Sequence, residues 1–255
     1  MVNLLAESTP QNLLLQKDTA LCKICIYENQ DYRWLTFNDQ AIQSVMSNVN
    51  TYSVVTPVNQ SMLLLLLWPE KTLSVLNLGL GGASIERALL TQDNIKLTSV
   101  EINTDIIELA REYFLLDDKH PVYNDAAEDY IAHCHEQFDI VLIDIFGGEQ
   151  HANCLHDNLF WQNVKKLLCG QQQIFINFHA QSSQSLHDVL TILRQYFPYI
   201  AIIEFTNFTN LTLVASLSDL GNISITNIKK SKLLNHLTPT LSTTIKEIFY
   251  LDIPA

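Results

Sequence analysis

Three carboxylates, Glu101, Asp125 and Asp144, each stand at the end of a short apolar run, and the first comes one run after the turn Gly79-Leu80-Gly81-Gly82. Glycine lets a backbone turn tightly and approach a ligand that a side chain would hold off. A carboxylate at the tip of the next strand can accept hydrogen bonds from both hydroxyls of a ribose lying over such a turn, so the pair predicts a nucleoside site with Glu101 on the sugar. Asp125 offers an acceptor for an exocyclic amino group, and the small Ala126 beside it leaves space for a flat base, which suits adenine. The competing reading of Asp125 is an N-cap for the following helix. Asp144, closing FDIVLID, is expected to share one crevice with Glu101 and Asp125. A turn-capping role is the alternative for Asp144.

The elements that would bring these groups together show as hydrophobic rhythm. From Thr72, LSVLNL leads through GLGG into SIERALL, and KLTSVEI leads into TDIIELAREYF. The alternation continues with VYN and a helix over 126–134, FDIVLID and a helix over 157–168, then QQIFINF and a helix over 184–196. Such alternation predicts a parallel sheet covered on both faces, whose strand ends converge on one crevice. In the second helix Thr104 is the expected N-cap, with Ile106, Ile107, Leu109, Ala110 and Tyr113 on one side. Residues 199–205 and 211–216 predict a terminal antiparallel hairpin. Upstream, 20–29 and 32–38 predict a β-hairpin unit, followed by a polar link over 47–57 and an apolar helix from Gln60 to Leu67 that stops before Pro69. The expected fold is therefore α/β and Rossmann-like, with a small N-terminal β domain over 1–58 and a nucleoside-binding catalytic domain over 59–255. Residues 217–255 receive no assignment.

The chain has 255 residues, 47% hydrophobic and only 16% charged, enough apolar material for a large core. Its formal charge of -12 disfavours nucleic acid and anionic membranes as partners and favours a cationic one. From Glu101 to Asp157 acids abound and the bases are Arg111 and Lys119, so the crevice should attract a sulfonium or an amine. The most apolar stretch, Met62 to Trp68, falls far short of the roughly 20 residues that cross a bilayer. With an odd number of cysteines and an N-terminus lacking a basic region ahead of an apolar run, a cytoplasmic location is expected. Cys22 and Cys25 read as structural. His151, Cys154 and His156 lack a familiar zinc spacing and read as a polar lid, so no metal is expected. A nicotinamide dehydrogenase is disfavoured because Ser84 stands where its third glycine would be.

On VLNLGLGGAS, SVEINTDIIELAREYF, NDAAEDYI and FDIVLIDIFGG, in that order, the chain resembles the spermidine synthase-like family of aminopropyltransferases and, more broadly, the S-adenosylmethionine-dependent methyltransferase fold. The likeness runs from about Ile24 to Ser216. It implies decarboxylated S-adenosylmethionine, or S-adenosylmethionine itself, as donor substrate, a small-molecule amine as acceptor, and a homodimer or homotetramer. By position it implies donor contacts from Gln43, Gly79, Gly81, Gly82, Glu101, Asp125 and Ala126, and substrate contacts from Gln60 and Asp144, the latter as the first acid of the family's Asp-x-x-Asp motif, expected to orient an amine and take its proton with Phe146 helping to exclude water. Three positions depart from the family pattern. Gly82 replaces an aspartate that grips the donor's amine, Gly147 replaces the second acid of the motif, and Asn59 replaces a tyrosine. Each change removes a group that recognises cationic amines. An S-adenosylmethionine-dependent methyltransferase of unknown acceptor and a catalytically silent nucleoside-binding homologue are the alternative readings.

Overall fold

The computed structural model describes residues 4–19, 22–38, 41–68, 72–147, 150–151 and 153–251, without the side chains of 146, 147, 150, 151 and 153. The expectations for Phe146 and His151 as side chains therefore lie outside the described residues.

The predicted N-terminal hairpin forms the middle of a larger unit. β1 (Leu13–Asp18), β2 (Lys23–Glu28), β3 (Tyr32–Phe37) and β4 (Ala41–Ser47) make an antiparallel sheet in chain order. The two added strands are outer ones. β1 is largely exposed, so it lacks the apolar alternation that reveals a half-buried strand. One face of the sheet buries Cys25, Tyr27, Trp34 and Val45, with Tyr27 and Trp34 stacked at 5.7 Å. The other face buries Ile24, Ile26, Leu35 and Met46 against Ile106, Leu109 and Phe114.

α1 (Pro57–Met62) opens on proline, whose missing N–H costs nothing in a first turn, and tightens into a 3-10 segment, Leu63–Leu67. Leu63 to Leu65 are fully buried, each side chain contributing about 1.5–3 kcal/mol. The alternation then runs as β5 (Leu73–Leu78), α2 (Ser84–Leu89), β6 (Ile95–Glu101), α3 (Thr104–Tyr113), β7 (Val122–Asn124), α4 (Ala127–His133) and β8 (Phe138–Ile143). A short antiparallel pair, β9 (Phe146–Gly147) and β10 (Gln150–His151), follows, then α5 (Asn158–Leu167), β11 (Leu168–His179) and α6 (Ser183–Tyr196). β12 (Tyr199–Phe205) and β13 (Asn210–Ser216) are the predicted hairpin.

The unassigned tail is ordered. It forms α7 (Ile225–Lys230), α8 (Lys232–Leu237), α9 (Leu241–Thr244) and β14 (Ile245–Leu251), which pairs antiparallel with β12 and so extends the sheet. Its apolar residues Leu220, Ile223, Ile228, Leu234, Leu237 and Leu241 complete the core around Leu63–Leu66. Among the described residues no helix is long and apolar enough to cross a membrane.

The main sheet has the order β14-β12-β13-β11-β8-β5-β6-β7, parallel from β11 to β7 and antiparallel beyond. This is the Rossmann-like arrangement expected. Chain order runs outward in one direction from β5 through β6 to β7 and in the other from β8 to β11. Ligands bind open α/β sheets at such a reversal, outside the carboxyl ends of the strands. Here that point lies between Gly79 and Asp144. One boundary needs correction: the cap of α3 is Asn103, whose side chain accepts from the Asp105 N–H at 2.9 Å, while Thr104 starts the helix and donates to Asn124 Oδ1.

Candidate active site at the strand ends

The glycine turn is shaped by its neighbours. Gly79 has φ +96°, and a Cβ there would collide with the backbone carbonyl of Asp144, so β5 and β8 approach as closely as they do only with glycine at that position. Gly81 also has a positive φ, +53°. β4 runs alongside: Ser44 Oγ lies 3.2 Å from Ser84 Oγ. Gln43, expected at the donor, is the extra residue of a β-bulge, since Leu35 pairs with Ser44 and Thr36 with Ile42. Bulges re-aim side chains.

Glu101 faces the turn. Oε2 accepts from the Leu80 N–H at 3.1 Å and Oε1 from the Asn103 N–H at 2.9 Å. Burial pushes this carboxyl above its ordinary value, against the backbone N–H groups of Asn103, Leu80, Gly81 and Ile102, which favour the ionised form. Each oxygen retains acceptor capacity. Ile102 beside it is 63% exposed, an apolar surface that the sequence reading did not single out.

Asp125 is exposed at the end of β7, its Oδ1 accepting from the Ala126 N–H. The N-cap of α4 is Ala126, with no side-chain cap, so the capping reading of Asp125 fails.

Asp144 follows β8, and its N–H donates to Leu78 O at 2.8 Å. Its carboxylate lies between two amides: Asn59 Nδ2 donates to Oδ2 at 3.1 Å and Asn177 Nδ2 to Oδ1 at 2.7 Å. Burial pushes its carboxyl up, and the Asn177 and Asn59 amides pull it back down. Asn177 was missed by the sequence reading, although a polar residue inside the buried run IFINF signals a group with a specific partner.

Gln60, expected as a substrate contact, requires correction. It is 1% exposed, and its Nε2 donates to Val54 O at 2.7 Å and Val55 O at 3.3 Å while its amide exchanges bonds with Thr240 Oγ1. A buried amide with its donors used in this way fastens the link ahead of α1 to the tail.

Behind the turn lies a second polar cluster. Asn77 Nδ2 donates to Gly79 O at 2.8 Å and to Glu86 Oε1 at 2.6 Å. Ser99 Oγ donates to the same Glu86 oxygen at 2.7 Å and lies 2.9 Å from His120 Nε2. Burial pushes Glu86 up and His120 down to about 4. A histidine depressed in this way contributes stability above its unfolded value near 6.5, lost as pH falls through the folded value. Wild type should thus lose up to about 3 kcal/mol between pH 7 and 4 from this group, partly offset by Glu86, whose raised carboxyl acts in the opposite sense. His120→Gln, which keeps a donor for Ser99, is expected to flatten the acid side of a stability profile measured by urea denaturation. An unchanged slope would contradict this account of His120.

No known protein-family profile matches the chain. It is 28% identical over 155 residues to the polyamine aminopropyltransferase of Chromobacterium violaceum, a match covering 58% of this chain and 59% of that protein. The chain thus spans less than two thirds of that relative. A crystal structure of a probable spermidine synthase from Corynebacterium glutamicum superposes with TM-score 0.73 at 14% identity, over 94% of this chain and 90% of that one. Human methyltransferase-like protein 13, solved with SAH, superposes with TM-score 0.57 at 21% identity, over 72% and 86%. At these identities the two structures establish a shared fold.

Proposed function

We propose that this chain transfers an aminopropyl group from decarboxylated S-adenosylmethionine to a small amine. The observation that carries the reading is the pair of carboxylates flanking the glycine turn: Glu101 bonded to the Leu80 amide on one side and Asp144 at the neighbouring strand tip on the other. Glu101 would hold the ribose, Asp125 and Ala126 the adenine, and Gly79 and Gly81 would admit the donor against the backbone. The amine nitrogen attacks the aminopropyl carbon bound to sulfur, the N–C bond forms as C–S breaks, and methylthioadenosine leaves with the electron pair on sulfur. Asp144 takes the proton released from nitrogen. The likeness to a named polyamine aminopropyltransferase supports this reading.

Gly82 bears on how the donor is held. A Cβ there would lie 2.6 Å from Ser44 Oγ, 2.9 Å from Ser44 Cβ and 3.0 Å from Phe114 Cδ1. Packing of β4 and α3 over the turn therefore excludes an acid at this position. Gly82→Asp is expected to lower stability by about 1–3 kcal/mol rather than tighten donor binding. Ser44→Gly in the same chain should recover part of that loss in thermal denaturation.

The test is turnover. Decarboxylated S-adenosylmethionine with putrescine should yield spermidine and methylthioadenosine. Transfer of a labelled methyl group from ordinary S-adenosylmethionine, with no aminopropyl product, would overturn the proposal in favour of a methyltransferase. Donor binding without turnover would leave a silent homologue. The division into 1–58 and 59–255 and a homodimer or homotetramer belong to the same proposal. Limited proteolysis and sedimentation test them.

A further inference from the structure

Four side chains, from Asp144 just past β8 and from β11 and β13, lie end to end, and a fifth reaches in from α1. Asp144 Oδ1 accepts from Asn177 Nδ2 at 2.7 Å, Asn177 Oδ1 accepts from Asn210 Nδ2 at 2.8 Å, and Asn210 Oδ1 lies 3.1 Å from His179 Nδ1. Strand register explains the meeting. β11 and β13 pair His179 with Asn210 and Asn177 with Thr212, so Asn177 and Asn210 are diagonal neighbours on one face. α1 lies over that face, where Ser61 Oγ sits 2.5 Å from Thr212 Oγ1, and it carries Asn59 to the other carboxylate oxygen.

The donors and acceptors along this line permit one polarity when Asp144 is ionised. A carboxylate only accepts, so Asn177 must turn Nδ2 toward it and its carbonyl away. That carbonyl needs a donor, which Asn210 supplies from Nδ2, leaving Asn210 Oδ1 to accept from an Nδ1–H on His179 at 3.1 Å and, more weakly, from Thr209 Oγ1 at 3.4 Å. Reversing Asn177 or Asn210 reverses the other and sets a carbonyl oxygen against Asp144, tolerable only when Asp144 carries a proton. Asn59 and Asn177 each occupy one acceptor position on separate oxygens, so a position on each stays open. Both are neutral and leave the negative charge uncancelled, as a lysine or arginine partner would not.

We propose that Asn177, Asn210 and His179 are positioning residues for the transfer, forming a directional hydrogen-bond chain that holds Asp144 as an acceptor for the incoming amine. This rests on the role given to Asp144 above. α1, β5 and β13 bring no titratable side chain toward it, β11 brings His179, and Glu101 stands two strands away.

Asn210→Asp is the decisive variant. The introduced carboxylate has the shape of asparagine but cannot donate to Asn177 Oδ1. It draws Asn177 Nδ2 toward itself and turns the Asn177 carbonyl onto Asp144. Its added charge by itself also raises the Asp144 carboxyl, so the neutral His179 pair separates the chain from simple repulsion. The chain predicts a kcat about 100-fold lower with donor KM within about twofold. It also predicts an Asp144 titration, followed by carbon-13 NMR of labelled aspartate, shifted up by about one pH unit or more. His179→Leu should lower kcat about tenfold, and His179→Gln, whose amide can donate to Asn210, should restore it. If Asn210→Asp fails to fold by circular dichroism, the His179 pair decides alone. Equal kcat and equal Asp144 titration in His179→Leu and wild type would overturn the chain. The titration is read on unliganded protein, so a wild type without aminopropyl transfer refutes the proposed function, whereas an unmoved titration refutes this chain.

Discussion

Asp144→Asn is expected to slow group transfer about 100- to 10,000-fold while leaving the affinity for an adenosine-type ligand within about twofold. The substitution keeps size and removes the base. It also spoils the local hydrogen bonding, because Asn59 and Asn177 both present amide N–H groups and an asparagine can offer an acceptor to only one of them. The other N–H is left facing a donor in a buried site, at a cost of about 1–3 kcal/mol. On the proposed reading the nucleoside half would be gripped on the far side of Gly79, so calorimetry with methylthioadenosine should hardly register the change. Product formation by chromatography gives the rate. A variant with turnover within tenfold of wild type would remove Asp144 from the chemistry.

Glu101→Gln should weaken nucleoside binding about 100-fold. Hydrogen bonds to a charged acceptor contribute about 1.5–3 kcal/mol each, and two ribose hydroxyls would share this carboxylate. Glutamine also turns an N–H toward either the Leu80 or the Asn103 amide, so the glycine turn loses part of its support. The pH dependence follows from the same group. Ribose hydroxyls need the ionised form, and burial raises the Glu101 carboxyl above the ordinary value. Affinity should therefore fall as pH is lowered, beginning at a higher pH than a solvent-exposed glutamate would give, and the variant should lack that dependence. The stability effect has the opposite sign, since a raised carboxyl contributes most below its unfolded value and loses that contribution as pH rises through the folded one. Titration calorimetry across mildly acidic pH separates the two. Affinity that is flat with pH in wild type would argue against a ribose on Glu101.

The strand-and-helix alternation from β5 to β13 was legible because each strand is a short apolar run and each helix has one apolar side, patterns set by local geometry alone. From that alternation and the glycine turn, the sequence sufficed to bring Glu101 and Asp144 to one edge of the sheet. It also implied an acidic crevice. The outer strand β1 and the tail escaped because their burial is supplied by distant partners: β14 is a strand through its pairing with β12, and the tail helices are held by Leu63–Leu66.

Three features belong to tertiary structure alone. Gln60 resembled a ligand contact in one dimension, yet Thr240 from the far end of the chain takes up its amide. Gly82 read as a missing acid, and the fold shows Ser44 and Phe114 occupying the space such a side chain would need. Asn177, Asn210 and His179 meet through the register of two antiparallel strands, and register is a relation between segments. Periodicity and turn chemistry determine which elements form and which ends they share. Who donates to whom within the site depends on contacts between residues far apart in the chain, which close only when the sheet has assembled.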